Sequence, residues 1–413
     1  QWTDSDTDEL LLMLNRDALR EKTLSTVRSI ISASTLTSRF SENVVVLKAL
    51  FCHIFNYIRY LGQEIVPRSL LESLSRLVSI DDAAEEILKH FASEVDKFPK
   101  IQINRRAAQQ FTQEGFGTYQ NTIIYQLSNI FSTIPPTSFR SIKQPWQVTF
   151  TGEPAIDAGG PARELMTEAS VSIFDEKTRL VIPVPNSRLK IGSYQDTFIP
   201  FERSMARFRE YRAIGILIGI IVRTGYVQDF PFAPLVWRYL AKSHLQAQDV
   251  LKIDKVLADQ LNELRSTRES IAWEATNWDG KTETLPGHSQ DQCVRSNEIE
   301  TYIQEVIDYR LNAIMPFLKE MRRGFRENIG LKYHPLMTGS TLSHMAQGSG
   351  IITTEALEAA CSVKVYKGMT DPHVRRFFRV VDMLSPEQKK MLLKFMTTLT
   401  RLPNSISNNK FNI

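Results

Sequence analysis

Two sets of residues in this chain have types and spacing that could do chemistry. They are the run Glu153-Pro-Ala-Ile-Asp157-Ala-Gly159-Gly160-Pro161-Ala-Arg163-Glu164 and the three cysteines Cys52, Cys293 and Cys361. A glycine pair that opens a helix exposes main-chain N–H groups able to cradle a phosphate. No Gly-Lys-Ser/Thr ending follows this pair and no six-residue glycine fingerprint contains it, which argues against a nucleotide. Asp157 and Arg163 can instead form one ion pair that fixes the loop, with Glu153 facing the same turn; charges so placed usually hold architecture. The cysteines are odd in number, far apart and without a Cys-x-x-Cys pair. Neither a disulfide framework nor a thiolate zinc site is indicated, no metal or cofactor is expected, and a reducing compartment is the simpler reading. Cys52 and His53 are adjacent, but they lie in the middle of an apolar helical run with no second ligand cluster nearby, the setting of packed core.

The elements that must position the 153–164 run can be read on either side of it. Trp146, Val148 and Phe150 alternate with Gln147, Thr149 and Thr151, the period-two pattern of a half-buried strand. After it, Asp157 suits an N-cap, Pro161 a first helical position and Glu164 the positive first turns of a helix running to about Phe174. Upstream, Leu10 to about Val95 is helical in character, and Pro99 marks a boundary before a helical region containing Tyr119–Phe131. Downstream, a deeply buried helix is expected over about 203–223, ended by Gly225. Helices follow near Phe230–Leu240 and over Asp249–Leu264, the latter with an apolar face of Leu251, Val256, Leu257, Leu261 and Leu264. Trp273 and Trp278 flank a polar stretch of strands and loops to Ser296, as a partner surface or as buried core. A helix from Asn297 closes at Gly324 and Gly330, Leu336–Gly350 reads as loop, and Thr354–Ala360 as helix. The end reads as extended Val363–Tyr366, a helix from Asp371 with Pro372 at its first position, and another from Ser385 with Pro386 likewise.

Composition sets the limits. The chain has 413 residues, 42% hydrophobic and 23% charged, enough for two or three domains with their own cores. Its 50 basic and 46 acidic residues nearly balance and form no long basic run, so nucleic acid is not implied. The most apolar run, Ala213–Val222, is bounded by Arg212 and Arg223 and is too short to span a bilayer. The acidic, signal-less N-terminus looks like an internal cut from a longer protein.

The run Trp146-Gln-Val-Thr-Phe-Thr-Gly-Glu153-Pro-Ala-Ile-Asp157-Ala-Gly159-Gly160-Pro161-Ala-Arg163-Glu164 resembles the opening signature of HECT-type E3 ubiquitin ligases, a Val-x-Phe-x-Gly-Glu strand followed by Asp-x-Gly-Gly-Pro-x-Arg-Glu. Further segments recur in that family's order. They are Phe98-Pro99 with Asn104-Arg105, Phe232-Ala-Pro-Leu-Val-Trp237-Arg238, Asp249-Val-Leu-Lys-Ile-Asp254, Glu300-Thr-Tyr302, Phe317 through Phe325, Phe377-Phe378-Arg379-Val380-Val381 and Arg401-Leu402-Pro403. The resemblance covers roughly residues 98–413.

It implies a predominantly helical α+β fold. Residues 1–97 would form a helical extension of scaffold or array helices. Residues 98–360 would form a large lobe with a conjugating-enzyme-binding subdomain at about 230–296, and 361–413 a hinge with part of a small C-terminal lobe. The implied partners are a ubiquitin-conjugating enzyme, ubiquitin and a protein substrate. The implied chemistry is two acyl transfers through a cysteine thioester, because a thiolate is both a good nucleophile and a good leaving group. The family's cysteine lies near the end of the small lobe in a Thr-Cys setting that none of Cys52, Cys293 and Cys361 matches, so the nucleophile is expected C-terminal to Ile413. As written, this chain is expected to be inactive in thioester formation. Leu261, Leu264, Ile271 and Trp273 are the apolar candidates for the docking groove. A non-catalytic interaction module that binds a conjugating enzyme is the alternative. The expected location is cytoplasmic, with a nuclear location also open.

Overall fold

The computed structural model describes residues 80–89, 91, 98–153, 160–202, 207–241, 244–265, 271–330, 336–350, 352–362, 371–397, 401–402 and 411–412. The expected helices before residue 80, the Cys52-His53 pair, Asp157, Gly159 and the extended segment Val363–Tyr366 lie outside them. Two compact units are present, residues 1–90 with 333–341, and residues 91–332 with 342–413. In the first, helix α1 (Ile80–Leu88) buries Ala83, Ala84 and Ile87, three positions on one face.

The second unit opens on strand β1 (Lys100–Ile103). It is followed by α2 (Arg105–Gln109), where the Asn104 side chain accepts from Ala107 N at 3.0 Å, and by α3 (Ile123–Thr133), capped by Thr122. Strand β2 (Gln147–Phe150) then pairs with β1 in parallel, Ile101 opposite Val148 and Ile103 opposite Phe150. The expected alternation is realised, with Trp146, Val148 and Phe150 buried. Helix α4 (Gly160–Phe174) follows, with Ala162, Leu165, Met166, Ala169 and Ile173 buried. Strands β3 (Val181–Pro183) and β4 (Phe198–Pro200) pair in antiparallel fashion around the short helix α5 (Pro185–Leu189).

Helix α6 (Phe208–Thr224) is the buried helix that the apolar run requires, and it ends on Gly225 in the left-handed region at φ 69°. After α7 (Pro234–Leu240), with Pro234 in its first turn, the expected single helix over Asp249–Leu264 is in fact two, α8 (Ala247–Leu251) and α9 (Lys255–Leu264). The break lies at Asp254, whose carboxylate accepts from Leu257 N at 3.1 Å and so caps α9 anew. Two small antiparallel pairs follow, β5 (Ile271–Ala272) with β8 (Cys293–Val294), and β6 (Glu274–Thr276) with β7 (Thr282–Thr284).

The longest helix, α10 (Ile299–Ile329), runs straight through Gly324 and stops at Gly330, φ 73°. Gly324 is therefore not a terminator, and tertiary packing shows why. A Cβ on Gly324 would sit 1.9 Å from the Arg212 carbonyl oxygen, and one on Gly215 would sit 1.8 Å from the Met321 carbonyl oxygen. Helices α6 and α10 cross with their backbones touching, a separation that only glycine allows. The contact lets Ile214, Ile216, Leu217, Ile218, Ile220 and Ile221 of α6 be fully buried. Full burial of such a side chain contributes about 1.5–3 kcal/mol as an upper estimate.

The expected loop over Leu336–Gly350 contains helix α11 (Gly339–Gln347). Its glycines punctuate the ends, Thr338 Oγ1 accepts from Thr341 N at 3.2 Å, and Leu342, Met345 and Ala346 are buried at helical spacing. Then come α12 (Thr354–Ala360), β9 (Cys361–Ser362), α13 (Pro372–Asp382) and α14 (Pro386–Thr397). Strand β10 (Phe411–Asn412) pairs with β9 in parallel. Asp371 caps α13 through His373 N at 2.8 Å, as its sequence position suggests. Val227, Ile352, Leu357, Cys361, Phe378, Val381, Leu393 and Leu402 form one apolar cluster beneath these last helices.

Gly324→Ala should lower the midpoint of urea unfolding by the equivalent of about 1–3 kcal/mol, because two backbones must separate. Gly160→Ala should have little effect, since a Cβ there meets nothing within 4 Å. Equal effects from the two substitutions would contradict the close crossing.

Candidate functional site

At the 153–164 run, the charges expected to be architectural are organised by a residue from outside it. The Arg105 guanidinium, at the start of α2, donates from Nε to Glu153 Oε1 at 2.6 Å and from Nη2 to Glu153 Oε2. Its Nη1 lies 2.7 Å from Glu164 Oε1 and 3.6 Å from Glu168 Oε1, and its plane rests over the Phe150 ring, 4.2 Å from the centroid. One planar fork thus joins α2, the end of β2 and α4, the bidentate geometry for which arginine is suited. The pairing holds the Glu153 carboxyl below its usual range and the Arg105 guanidinium above its own. The expected Asp157–Arg163 pair lies outside the described residues on its Asp157 side, and the Arg163 guanidinium lies over the Tyr226 ring, 5.0 Å from the centroid. Arg105 was within reach of a sequence argument only as part of the Asn104-Arg105 pair, because its partners lie 48 and 59 positions away.

Glu168 shares this arginine but gains least from it. Burial pushes its carboxyl up to about 7, with the neighbouring charges of Glu164 and Glu153 adding to the rise and Arg105 opposing it. One of its oxygens, Oε2, is buried without a hydrogen-bond partner.

The second candidate region is the small subdomain built on α9 and the β5–β8 strands. It is tied to α10 by a buried ion pair, Arg310 Nη2 to Asp254 Oδ2 at 2.8 Å, and the Trp278 indole donates to the Arg310 carbonyl at 2.7 Å. The Arg310 guanidinium also lies 4.6 Å from the Trp278 ring centroid. Trp273 stacks face to face on His288 at 3.7 Å and meets Tyr302 edge-on at 5.8 Å, while His288 Nε2 lies 2.8 Å from Glu305 Oε2. Both tryptophans are therefore core, the second of the two readings their spacing allowed.

Of the four expected docking residues, all fall in this subdomain, but they differ in exposure. Leu261 on α9 and Trp273 between β5 and β6 are 4% and 3% exposed and pack the subdomain. Leu264 at the end of α9 and Ile271 on β5 are half-buried and keep surface to offer. Val256, expected on the same apolar face, is 37% exposed. Helical spacing separates it from Leu257, Leu261 and Leu264, which share a stripe at i, i+4 and i+7.

The cysteines supply no activated nucleophile among the described residues. Cys361 is buried in the apolar cluster and burial pushes its thiol up to about 11, with Glu358 adding to the shift, so at neutral pH it is protonated and shielded. Cys293 is exposed on β8, and Cys52 lies outside the described residues. No group of three or more metal-binding side chains occurs among the described residues, and no helix among them is long and apolar enough to cross a membrane.

The Glu168 carboxyl gives a pH test. Its folded value of about 7 lies above the usual 4.5, so the fold favours the protonated form. The stability this contributes is complete below pH 4.5 and is lost as pH rises through 7. Glu168→Gln should therefore stabilise the protein at pH 8 by about 1–3 kcal/mol, discounted for partial exposure. The gain should shrink steadily as the pH of the melts is lowered toward 4.5. A gain independent of pH would show that the carboxyl ionises normally.

Comparison with known proteins follows the same residues. The model of the family described as HECT-domain (ubiquitin-transferase) matches residues 163–413. Over 330 residues the chain is 27% identical to the E3 ubiquitin-protein ligase HERC2 of Mus musculus, covering 75% of this chain and 7% of that protein. It is 24% identical to the probable E3 ubiquitin-protein ligase HUL4 of Eremothecium gossypii, covering 64% of this chain and 34% of the relative. It is also 24% identical to the probable E3 ubiquitin-protein ligase HERC4 of Homo sapiens, covering 63% and 25%. The chain thus spans a small part of the length of these relatives. Because the family match runs from the helix that carries Glu164 and Glu168 through the small subdomain to the final described strand, the chain belongs to the HECT-domain (ubiquitin-transferase) family.

Proposed function

We propose that this chain is the ligase region of a HECT-type E3 enzyme that takes ubiquitin from a conjugating enzyme as a cysteine thioester and passes it to substrate lysines. In the first step a thiolate attacks the carrier's thioester carbonyl and the carrier's thiolate leaves. In the second a lysine amine attacks the new thioester and the ligase thiolate leaves. The observation that carries this reading is the family match over 163–413, which takes in both the small subdomain and the last helices. Residues 98–360 act as the large lobe, 361–413 as hinge and partial small lobe, and 1–97 as a helical scaffold. The subdomain at about 230–296 receives the conjugating enzyme, with Leu264 and Ile271 as its contacts and Leu261 and Trp273 supporting them from beneath. The location is cytoplasmic.

The transfer cysteine is assigned to none of Cys52, Cys293 and Cys361. The second reading is a HECT-like module that docks a conjugating enzyme without chemistry. Charging assays on non-reducing gels separate the two. The native chain extended past Ile413 should form a thiol-sensitive ubiquitin adduct, while residues 1–413 form none. If the extended chain also forms none, transfer is excluded and the docking module stands.

Docking has its own test. Leu264→Asp with Ile271→Asp should weaken binding of the cognate conjugating enzyme by about tenfold or more, the effect of charging an apolar contact centre. Unchanged affinity in a titration would remove this surface from the proposal.

A further inference from the structure

A feature unrelated to ubiquitin transfer lies at the far end of α10. There an open concavity of about 610 Å³ is lined, among the described residues, by five cations, Arg140, Lys319, Arg322, Arg323 and Arg326, against a single carboxylate, Glu327. That carboxylate is already shared, by Arg212 at 2.7 Å and Arg323 at 3.2 Å. The formal charge of the whole chain is only +4, so the site concentrates as large an excess as the entire molecule carries.

Ordinary structural duties account for part of this cluster. Arg140 donates to the carbonyls of Asn328 at 2.9 Å and Glu327 at 3.0 Å, closing the end of α10. Arg323 pairs with Glu327 and, at 3.6 Å, with Glu320. Arg322 lies over the Tyr239 ring at 4.9 Å. Lys319, Arg322 and Arg326 have no ion-pair partner among the described residues. Helix-dipole stabilisation reaches only the last turn, which includes Arg326 but not Lys319 or Arg322. Three adjacent cations without carboxylates among the described residues cost mutual repulsion, which the ring contact of Arg322 and the helix-end position of Arg326 offset only in part.

We propose that this concavity binds a compact, multiply phosphorylated ligand. Lys319, Arg322, Arg323 and Arg326 stand at i, i+3, i+4 and i+7 of one helix, so they share a face and spread over about 10 Å of its axis. That span suits several phosphates on one small scaffold, gripped by arginine forks and one ammonium point charge, with Arg140 held at the end of the helix by its bonds to the Glu327 and Asn328 carbonyls. The volume is that of a small-molecule site. Two alternatives fit less well. A nucleotide base would need an aromatic face, and the Tyr239 face is already occupied by Arg322. A phosphopeptide would need apolar side-chain pockets or a strand edge, and among the described residues the uncharged lining is Tyr239 and Gly330. The shared chemistry is clustered phosphomonoesters on a compact polyol, free in solution or as a lipid headgroup.

The test is calorimetric titration of the 413-residue chain with inositol hexakisphosphate near physiological salt. A parallel flotation assay uses phosphatidylcholine vesicles with and without a phosphoinositide. Saturable one-site binding is expected for the soluble probe. Lys319→Glu with Arg326→Glu, exposed positions without ion-pair partners among the described residues, should weaken it by about tenfold or more. Arg375→Glu with Arg376→Glu, an equal charge change on exposed residues of α13 that do not line the concavity, should alter it by about twofold at most, as charges outside direct contact are screened. Thermal midpoints of both variants are expected to match the parent. Flotation that requires the phosphoinositide and is lost in the first variant assigns the headgroup; its absence alongside soluble binding assigns the free polyphosphate. Equal weakening by the two variants, non-saturable binding, or binding to neither probe overturns the proposal.

Discussion

The contact of backbone on backbone between α6 and α10 is the constraint on which the second unit depends. With Gly215 against Met321 O and Gly324 against Arg212 O, the two helices approach more closely than any side chain permits. That distance sets where every other element can sit. It covers the apolar stripe of α6, and it places the side chain of Arg212, itself at the crossing, in reach of Glu327 on α10. It also orients the length of α10, whose early turns carry Arg310 and Tyr302 and whose late turns carry the basic concavity.

Around this axis, two arginines perform similar work in different surroundings. Arg105 joins three elements at a half-buried corner, where water still screens the charges and one guanidinium can serve three carboxylates, leaving Glu168 underserved. Arg310 joins α10 to the small subdomain in the interior, where its charge is tolerated only because Asp254 and the Trp278 ring meet it. Removing one partner of such a pair is costlier than never having had it, by about 3–5 kcal/mol, which makes the pair a device for specifying orientation more than for adding stability. The small subdomain built on α9 and β5–β8 is thus anchored at its base by polar chemistry, while Leu261 and Trp273 are buried and Leu264 and Ile271 keep some surface.

Much of this was legible in local sequence, and the misreadings share one cause. The period-two strand at 146–151, the Gly225 stop, the Asp371-Pro372 start and the ten-residue apolar helix follow from rules that act within a few residues, and each is found in the structure. Gly324 was read as a terminator, Leu336–Gly350 as loop and Asp249–Leu264 as one helix. In each case a residue with a strong local preference was being used for a contact elsewhere, or the reverse. Gly324 is a crossing point, the glycines at 339 and 348 bracket a helix, and Asp254 caps α9 while facing Arg310. At the candidate site, the signature run was recognisable and its charges were read as architectural, yet the residue that organises them, Arg105, is distant in the chain. Leu261 and Trp273 looked no different from Leu264 and Ile271 because hydrophobicity states that a residue leaves water, not whether it does so against its own fold or a partner.

By itself the sequence determined the family, the helical character and many of the element boundaries, since these rest on residue order and short-range periodicity. Only the tertiary structure decided which glycines are contacts, which tryptophans are core, that Cys361 is a buried protonated thiol, and that Arg140 joins four cations of α10 around one concavity. Those properties depend on distances between residues far apart in sequence, and such distances are set by packing, which no local pattern encodes.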